Sequence, residues 1–205
     1  MKNDDLNLKI ESSSFENNYA LNGGALYLNS VMSSNKNGSL EITNTQFINN
    51  KVEYFGGGIF SDFSNIKFFT LNNITLSSNK AYAGGAIYIN NTNYEELFDV
   101  NSDSIKYVDN KSESHGNDYA SSPYIVILNS KSNNIEMMSG LPLRAMIEFD
   151  LYDKYNQIIN DKLRIYPYIN MDARIDSQNS YKITGNTCTF TEGNFNNKIN
   201  NYFIC

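Results

Sequence analysis

A repeat constrains this chain more than any other feature. A Phe-x-x-Asn corner, followed a few residues later by a Gly-Gly-Ala-type triplet, returns between Phe15 and Asp118. The first copy runs Phe15-Glu16-Asn17-Asn18 to Gly23-Gly24-Ala25-Leu26-Tyr27, and the second Phe47-Ile48-Asn49-Asn50 to Gly56-Gly57-Gly58-Ile59-Phe60. The third is Leu76-Ser77-Ser78-Asn79 with Gly84-Gly85-Ala86-Ile87-Tyr88; a decayed fourth is Tyr107-Val108-Asp109-Asn110 with Gly116-Asn117-Asp118-Tyr119. The leading apolar residues at 15, 47, 76 and 107 are 32, 29 and 31 residues apart. A period of about 30 lies in the range of solenoids, propellers and arrays.

Composition decides what repeats. Short alternating runs recur in each copy, Leu6/Leu8/Ile10 or Leu40/Ile42 before the corner and Leu26/Leu28, Ile59 or Ile87/Ile89 after the glycines. Alternation at period two in β-branched and aromatic residues reads as strand, and Asn and Gly are poor helix formers. One such coil cannot bury its apolar face, but stacked coils build a continuous core. Phe15, Phe47, Leu76 and Tyr107 are then expected in one inner ladder, and Leu26, Ile59 and Ile87 in another. Asn18, Asn50, Asn79 and Asn110 are expected to stack at a turn, where side-chain amides at strand spacing bond to one another. Gly23, Gly24, Gly57, Gly58, Gly84, Gly85 and Gly116 supply positive φ or close backbone approach at a corner. Gly116-Asn117-Asp118 in place of Gly-Gly-Ala suits a terminal, more polar coil.

These residues carry a resemblance. Phe-x-x-Asn with Gly-Gly-Ala-Ile/Leu resembles the repeat pair of the chlamydial polymorphic outer membrane proteins and of similar β-helix surface proteins in eukaryotic microbes. The resemblance covers residues 6 to about 120. It implies an all-β, right-handed parallel β-helix of the pectate-lyase-like class, extracellular or at a cell surface. The right-handed crossover preference of parallel strands points the same way.

The solenoid is expected over residues 1–122, with the longest between-coil insertions at Ser30–Ser39 and Asn90–Asn101. Ser112 to Pro123 is a polar boundary. Beyond it the glycine signature stops and longer strands are expected at Tyr124–Leu128, Leu143–Tyr152 and Leu163–Tyr168, with a turn at Asp153-Lys154-Tyr155-Asn156. The middle run alternates Ala145, Ile147, Phe149, Leu151 against Met146, Glu148, Asp150, Tyr152, which implies an antiparallel sheet with one wet face. Residues 123–205 are thus expected to form a small antiparallel β module. Phe149 to Asn156 resembles the strand and turn of immunoglobulin-like modules in surface proteins. A sandwich needs about 100 residues; 82 follow Pro123, so the module reads as incomplete.

A net charge of −6 with pI ≈ 4.8 argues against a nucleic-acid partner, which calls for a basic patch. The first residues, Met1-Lys2-Asn3-Asp4-Asp5, lack an apolar signal region, and no run approaches the roughly 20 apolar residues of a membrane span. Because Leu6 to Ile10 already reads as a coil strand, the chain is expected to continue into a longer one. Cys188 and Cys205 are either bridged, as in an extracellular protein, or two unrelated thiols. Sequons at Asn37, Asn73, Asn90 and Asn110 are compatible with secretion.

Chemistry-bearing residues are sparse. His115 is the only histidine, which excludes a multi-histidine metal site and reads as a turn residue. Asp99-Val100-Asn101-Ser102-Asp103 starts like a calcium loop, but Ser104 and Asn110 stand where Gly and Glu are needed. Glycoside chemistry needs two carboxyls flanking a groove, whereas Glu16, Glu41, Glu53, Asp62, Glu95 and Glu96 fall at different phases of the repeat. No cofactor is implied. Tyr19, Tyr27, Tyr54, Tyr82 and Tyr88 offer sugar-stacking faces; Tyr27, Phe60 and Tyr88 share one phase, as a packed ladder or, if outward, a binding strip. The expected function is a structural or adhesive segment of a larger surface protein, with a glycan or a host or cell-surface protein as partner. The alternative is a polysaccharide-binding or polysaccharide-degrading enzyme fragment. An open first coil would expose unpaired backbone and invite association.

Overall fold

The computed structural model describes residues 7–29, 38–62, 66–90, 99–128 and 149–166, and short strands at 169–170, 187–188, 198–199 and 202–203. The chain is all-β among these residues, and none of them forms a helix. They fall into two compact units, 1–124 with 153–157, and 125–152 with 158–205.

In the first unit each turn of chain contributes a strand to each of three parallel sheets. The first sheet holds β1 (Asn7–Glu11) and β2 (Ser14–Glu16), then β5 (Gly38–Ile48), β8 (Ile66–Ser77) and β11 (Ile105–Val108). The second holds β3 (Tyr19–Asn22), β6 (Lys51–Phe55), β9 (Lys80–Ala83) and β12 (Lys111–His115). The third holds β4 (Leu26–Asn29), β7 (Ile59–Asp62), β10 (Ile87–Ile89) and β13 (Tyr119–Ser121). All these pairings are parallel, so the unit is a parallel β-helix.

Register follows the repeat. Phe15 lies opposite Phe47, Phe47 opposite Leu76, and Leu76 opposite Tyr107. Leu26, Ile59, Ile87 and Tyr119 form a second column, and Leu8 with Leu40, and Ile10 with Ile42 and Leu71, extend the apolar face of the first sheet. These columns are the core: Ile42, Phe47, Leu76 and Ile87 are fully buried. Burying such a side chain contributes about 1.5–3 kcal/mol.

The coil turns where residues adopt left-handed backbone. Gly23, Gly56, Gly84 and Gly116 have φ of 57–68° at the corner between the second and third sheets. There a Cβ would collide with the carbonyl three residues on, 2.2 Å away at Gly56, which makes glycine obligatory. In the second coil this residue is Gly56, one before the expected Gly57; Gly57 and Gly58 stand where Gly24 and Ala25 stand in the first. Asn17, Asn49, Ser78 and Asp109 turn the corner before the second sheet at φ 51–58°. Ser12, Asn44 and Asn73 bend the first sheet at 48–53°. Asn and Asp tolerate this conformation better than most residues.

In the second unit, β14 (Pro123–Leu128) pairs with β15 (Phe149–Asp153). Antiparallel pairs join β16 (Ile169–Asn170) to β17 (Thr187–Cys188), and β18 (Lys198–Ile199) to β19 (Tyr202–Phe203). Leu151 and Ile159 are buried. The strand expected at Leu163–Tyr168 is absent over 163–166, where Asp161 instead holds the chain in a turn by accepting from Ile165 and Tyr166 N–H. Residues 143–148 and 167–168, and Cys205 of the cysteine pair, lie outside the described residues.

Candidate functional site

Asparagines dominate the polar chemistry of the β-helix. At the first corner Oδ1 of Asn50 accepts from backbone N–H and Nδ2 of Asn18, at 3.0 and 2.8 Å. Oδ1 of Asn79 does the same for Asn50, and Oδ1 of Asn110 for Asn79, all at 3.0 Å. Each Nδ2 also donates one coil back: Asn50 to the Phe15 carbonyl, Asn79 to Phe47 and Asn110 to Leu76, at 2.9–3.0 Å. Asn50 and Asn79 are fully buried, and these bonds offset what burying an amide costs. Two outer amide contacts, Asn49 to Asn17 and Asn73 to Asn44, run along the bends. The sequon at Asn110 is therefore inside the fold.

The glycine after each left-handed corner is required by its neighbour. A Cβ on Gly24 would sit 2.2 Å from the Gly57 carbonyl, on Gly57 2.2 Å from that of Gly85, and on Gly85 2.2 Å from that of Asn117. The fourth coil carries Asn117 at this position. Its Oδ1 accepts from Ser112 N–H and Oγ, at 2.9 and 3.3 Å. Asp118, where the earlier coils have Ala25, Gly58 and Ala86, takes the last Asn110 Nδ2 hydrogen at 3.1 Å. The two departures from Gly-Gly-Ala thus replace the partners that a further coil would bring.

The chain then returns to close this end. The buried carboxylate of Asp153 accepts from Ser121 N–H at 3.1 Å, from Tyr155 and Gln157 N–H at 2.9 Å, and from Gln157 Nε2 at 3.1 Å. Gln157 Nε2 also reaches the Tyr119 carbonyl at 2.9 Å, and Lys154 N–H donates to Ser121 Oγ at 2.9 Å. Side chains and turn amides so satisfy the free edge of β13, an edge that would otherwise template pairing. The expected turn at 153–156 forms, with Asn156 left-handed, and the ring of Tyr155 packs edge-on against Tyr119, 5.0 Å between centroids. Burial, and next the charge of Asp118, push the Tyr107 phenol well above its ordinary range; its hydroxyl donates to the Val100 carbonyl at 3.1 Å.

His115 is not a turn residue. It ends β12, buried, with Nε2 3.1 Å from the Ser121 carbonyl and Nδ1 3.0 Å from Ser114 Oγ. Asp99 accepts from the Asn101 N–H within its own turn. Among the described residues no cluster of His, Cys, Asp or Glu is placed to hold a metal.

Tyr27, Phe60 and Tyr88 stack nearly parallel, at 4.9 and 5.9 Å. Only Tyr27 reaches solvent, at 51% exposure; Phe60 and Tyr88 are at 6% and 1%, so the three make a packed ladder and not an open strip. Phe55 explains part of this by stacking on Tyr88 at 4.4 Å. Tyr82 is buried too, while Tyr19 and Tyr54 stay exposed, and hydrogen bonding to Glu53 raises the Tyr19 phenol above its ordinary value. Carboxylates do not meet across coils in the pairings of the first and third sheets: Glu11 faces Thr43, Glu41 lies between Lys9 and Thr70, and Asp62 faces Asn29. Glu95 and Glu96 lie outside the described residues.

The Chlamydia polymorphic membrane protein repeat model matches residues 12–29, 44–62 and 73–90. Three stretches of the chain are thus similar to that repeat. Each match begins at a left-handed bend, Ser12, Asn44 or Asn73, and runs through the third-sheet strand of the same coil, so one match spans both later corners of a coil. The fourth coil, with Asn117 and Asp118, has no match. No curated protein and no solved structure matches the chain.

Proposed function

We propose that this chain is a non-catalytic, structural or adhesive segment of a larger cell-surface protein. It is a right-handed β-helix ending in its closing coil, followed by an antiparallel, immunoglobulin-like module. The observation that carries this reading is the use of the polar residues: asparagine, aspartate and glutamine side chains are spent on bonds between coils and on the terminal edge, which builds a rigid rod. The repeat it shares with the polymorphic membrane proteins supports placement at a surface. Exposed Tyr19, Tyr27 and Tyr54 supply faces on which a glycan or a host surface protein docks. The separated carboxylates support a passive role over glycoside hydrolysis.

Antibodies raised against the chain test this on intact cells of the source organism. Labelling without permeabilisation is the expected result; labelling only after permeabilisation contradicts the surface reading. Release of reducing sugars or unsaturated products from a panel of polysaccharides contradicts the passive role.

A further inference from the structure

Three lysines stand in one column on the outer face of the second sheet. Each directly follows a ladder asparagine: Lys51 after Asn50, Lys80 after Asn79 and Lys111 after Asn110. Lys51 lies opposite Lys80, and Lys80 opposite Lys111. The ladder fixes their backbones, since Lys51, Lys80 and Lys111 N–H donate to the Asn18, Asn50 and Asn79 carbonyls at 2.9 Å. Val52 and Ala81, one residue on, are buried, so the lysine side chains point outward, and all three are exposed. Like charges opposite one another on neighbouring strands, about 4.8 Å apart, repel. Among the described residues no carboxylate is ion-paired with any of the three, whereas Lys9 on the first sheet is held between Glu11 and Glu41 at 3.2 and 3.5 Å. The column is thus a line of uncompensated positive charge on a chain whose net charge is −6. It is narrow: exposed Glu53 and Glu113 stand two positions further along β6 and β12, and exposed Asp109 two before Lys111. Tyr19 continues the column opposite Lys51, with its ring exposed and its hydroxyl held on Glu53 at 2.9 Å.

We propose that this column is a docking strip for a sulfated polysaccharide, which lies across the coils with its sulfates on Lys51, Lys80 and Lys111 and a sugar ring on Tyr19. The proposal rests on the reading of the chain as a surface segment that meets a glycan, and it names the class of glycan. Charge complementarity selects the occupant. A line of cations at strand spacing suits a linear chain with anions spaced along it, and the long lysine stems follow anions that alternate about the chain axis. A flat anionic membrane would instead press its headgroups against Glu53, Glu113 and Asp109. The lysine ammonium is a compact point charge with three donors, which suits a tetrahedral sulfate; planar carboxylates are matched better by the arginine fork, and the column holds no arginine. Nucleic acid requires a broader basic patch than one line of three on an acidic chain. The aromatic face of Tyr19 adds apolar contact that a sugar ring can use.

The test is binding of the full chain to heparin by isothermal titration at low salt, with hyaluronan, a single-stranded oligonucleotide and phosphatidylserine vesicles as the other probes. Heparin is expected to bind, with log Kd rising against log salt at a slope of about 2–3, near one for each lysine engaged. The triple substitution Lys51→Gln, Lys80→Gln and Lys111→Gln is expected to weaken binding on the order of tenfold or more and to flatten that slope. The matched triple of exposed lysines, Lys9→Gln, Lys106→Gln and Lys162→Gln, is expected to shift Kd by less than about twofold. Tyr19→Ala is expected to weaken binding severalfold at an unchanged slope, because the ring carries no charge; an unchanged affinity would overturn the ring contact. On the unaltered chain, where the folding of a variant plays no part, heparin is expected to slow acetylation of Lys51, Lys80 and Lys111 and to leave Lys9, Lys106 and Lys162 at their free rates. Absence of heparin binding, equal losses in the two triple variants or equal protection of all six lysines overturns the proposal. Hyaluronan, the oligonucleotide or the vesicles binding as tightly as heparin overturns it as well. Binding in solution does not depend on where the chain sits in the cell, so failure here leaves the surface reading standing, and failure of surface labelling leaves the measured binding intact.

Discussion

The first and fourth coils occupy opposite ends of one stack, and they solve the same problem differently. The fourth replaces Gly-Gly-Ala by Gly-Asn-Asp and is sealed by Asp153 and Gln157. The first keeps the full repeat, Gly-Gly-Ala and Asn18 included, at a face where its core residues are half-buried. The residues that a β-helix repeat can lose are thus those that serve the following coil. Where the next carbonyl no longer sits against it, a glycine becomes a side chain that bonds inward.

The sharpest way to break this comparison is to put a side chain where the following coil approaches. Gly57→Ala would place Cβ 2.2 Å from the Gly85 carbonyl and 2.8 Å from Lys80 N; equilibrium unfolding is expected to show a loss of about 4 kcal/mol or more, or no folded protein. Asn117→Gly at the equivalent position of the last coil is expected to cost only about 1 kcal/mol, the worth of its bonds to Ser112. Equal losses at the two positions would sink the distinction. Next in size is the ladder. Asn79→Ala strands two donors on Asn50, takes the side-chain donor from the Phe47 carbonyl and leaves the Asn110 oxygen with the backbone donor alone, for roughly 3–4 kcal/mol by denaturant titration, against about 1 kcal/mol or less for exposed Asn18→Ala.

Reading the chain alone makes the repeat legible because corners have few chemical solutions. Left-handed turns call for Gly, Asn or Asp, and a buried stack of amides calls for the same residue once per coil. The columns of Phe15, Phe47, Leu76 and Tyr107 and of the four asparagines follow directly. The bend at Asn44 and Asn73 carries the same signal, 29 residues apart, and was open to the same reasoning. The seal is different. Asp153 and Gln157 lie more than 30 residues from the groups they satisfy and repeat nothing, so periodicity carries no trace of them. The aromatic strip misleads for a related reason: alternation places Phe60 and Tyr88 outward, and only the packing of Phe55 and other neighbours shows that outward is still buried.

The seal itself supplies a smaller prediction. Asp153→Ala removes the acceptor for Ser121, Tyr155 and Gln157 N–H and is expected to cost about 2–3 kcal/mol. Its effect on amide exchange should be concentrated at Ser121 and Tyr155, with Asn17 and Asn18 unmoved; a uniform effect would mean that the turn does not act as a local cap. The smallest effect is alkaline. The Tyr107 phenol titrates above its ordinary value of 10.0 in the folded chain, so the stability it confers is complete below about pH 10. Above that the unfolded chain releases the proton first, and stability falls by up to about 1.4 kcal/mol per pH unit. Tyr107→Phe is expected to flatten that slope, and an unchanged slope would place its source elsewhere.

The most direct test of the stacked ladder is exchange of the asparagine side-chain amides by nitrogen-resolved NMR of the full chain. The account predicts slow Nδ2 exchange at Asn50, Asn79 and Asn110, and fast exchange of at least one Nδ2 hydrogen at Asn18. Uniformly fast exchange at all four would contradict the ladder and, with it, the difference between the two ends.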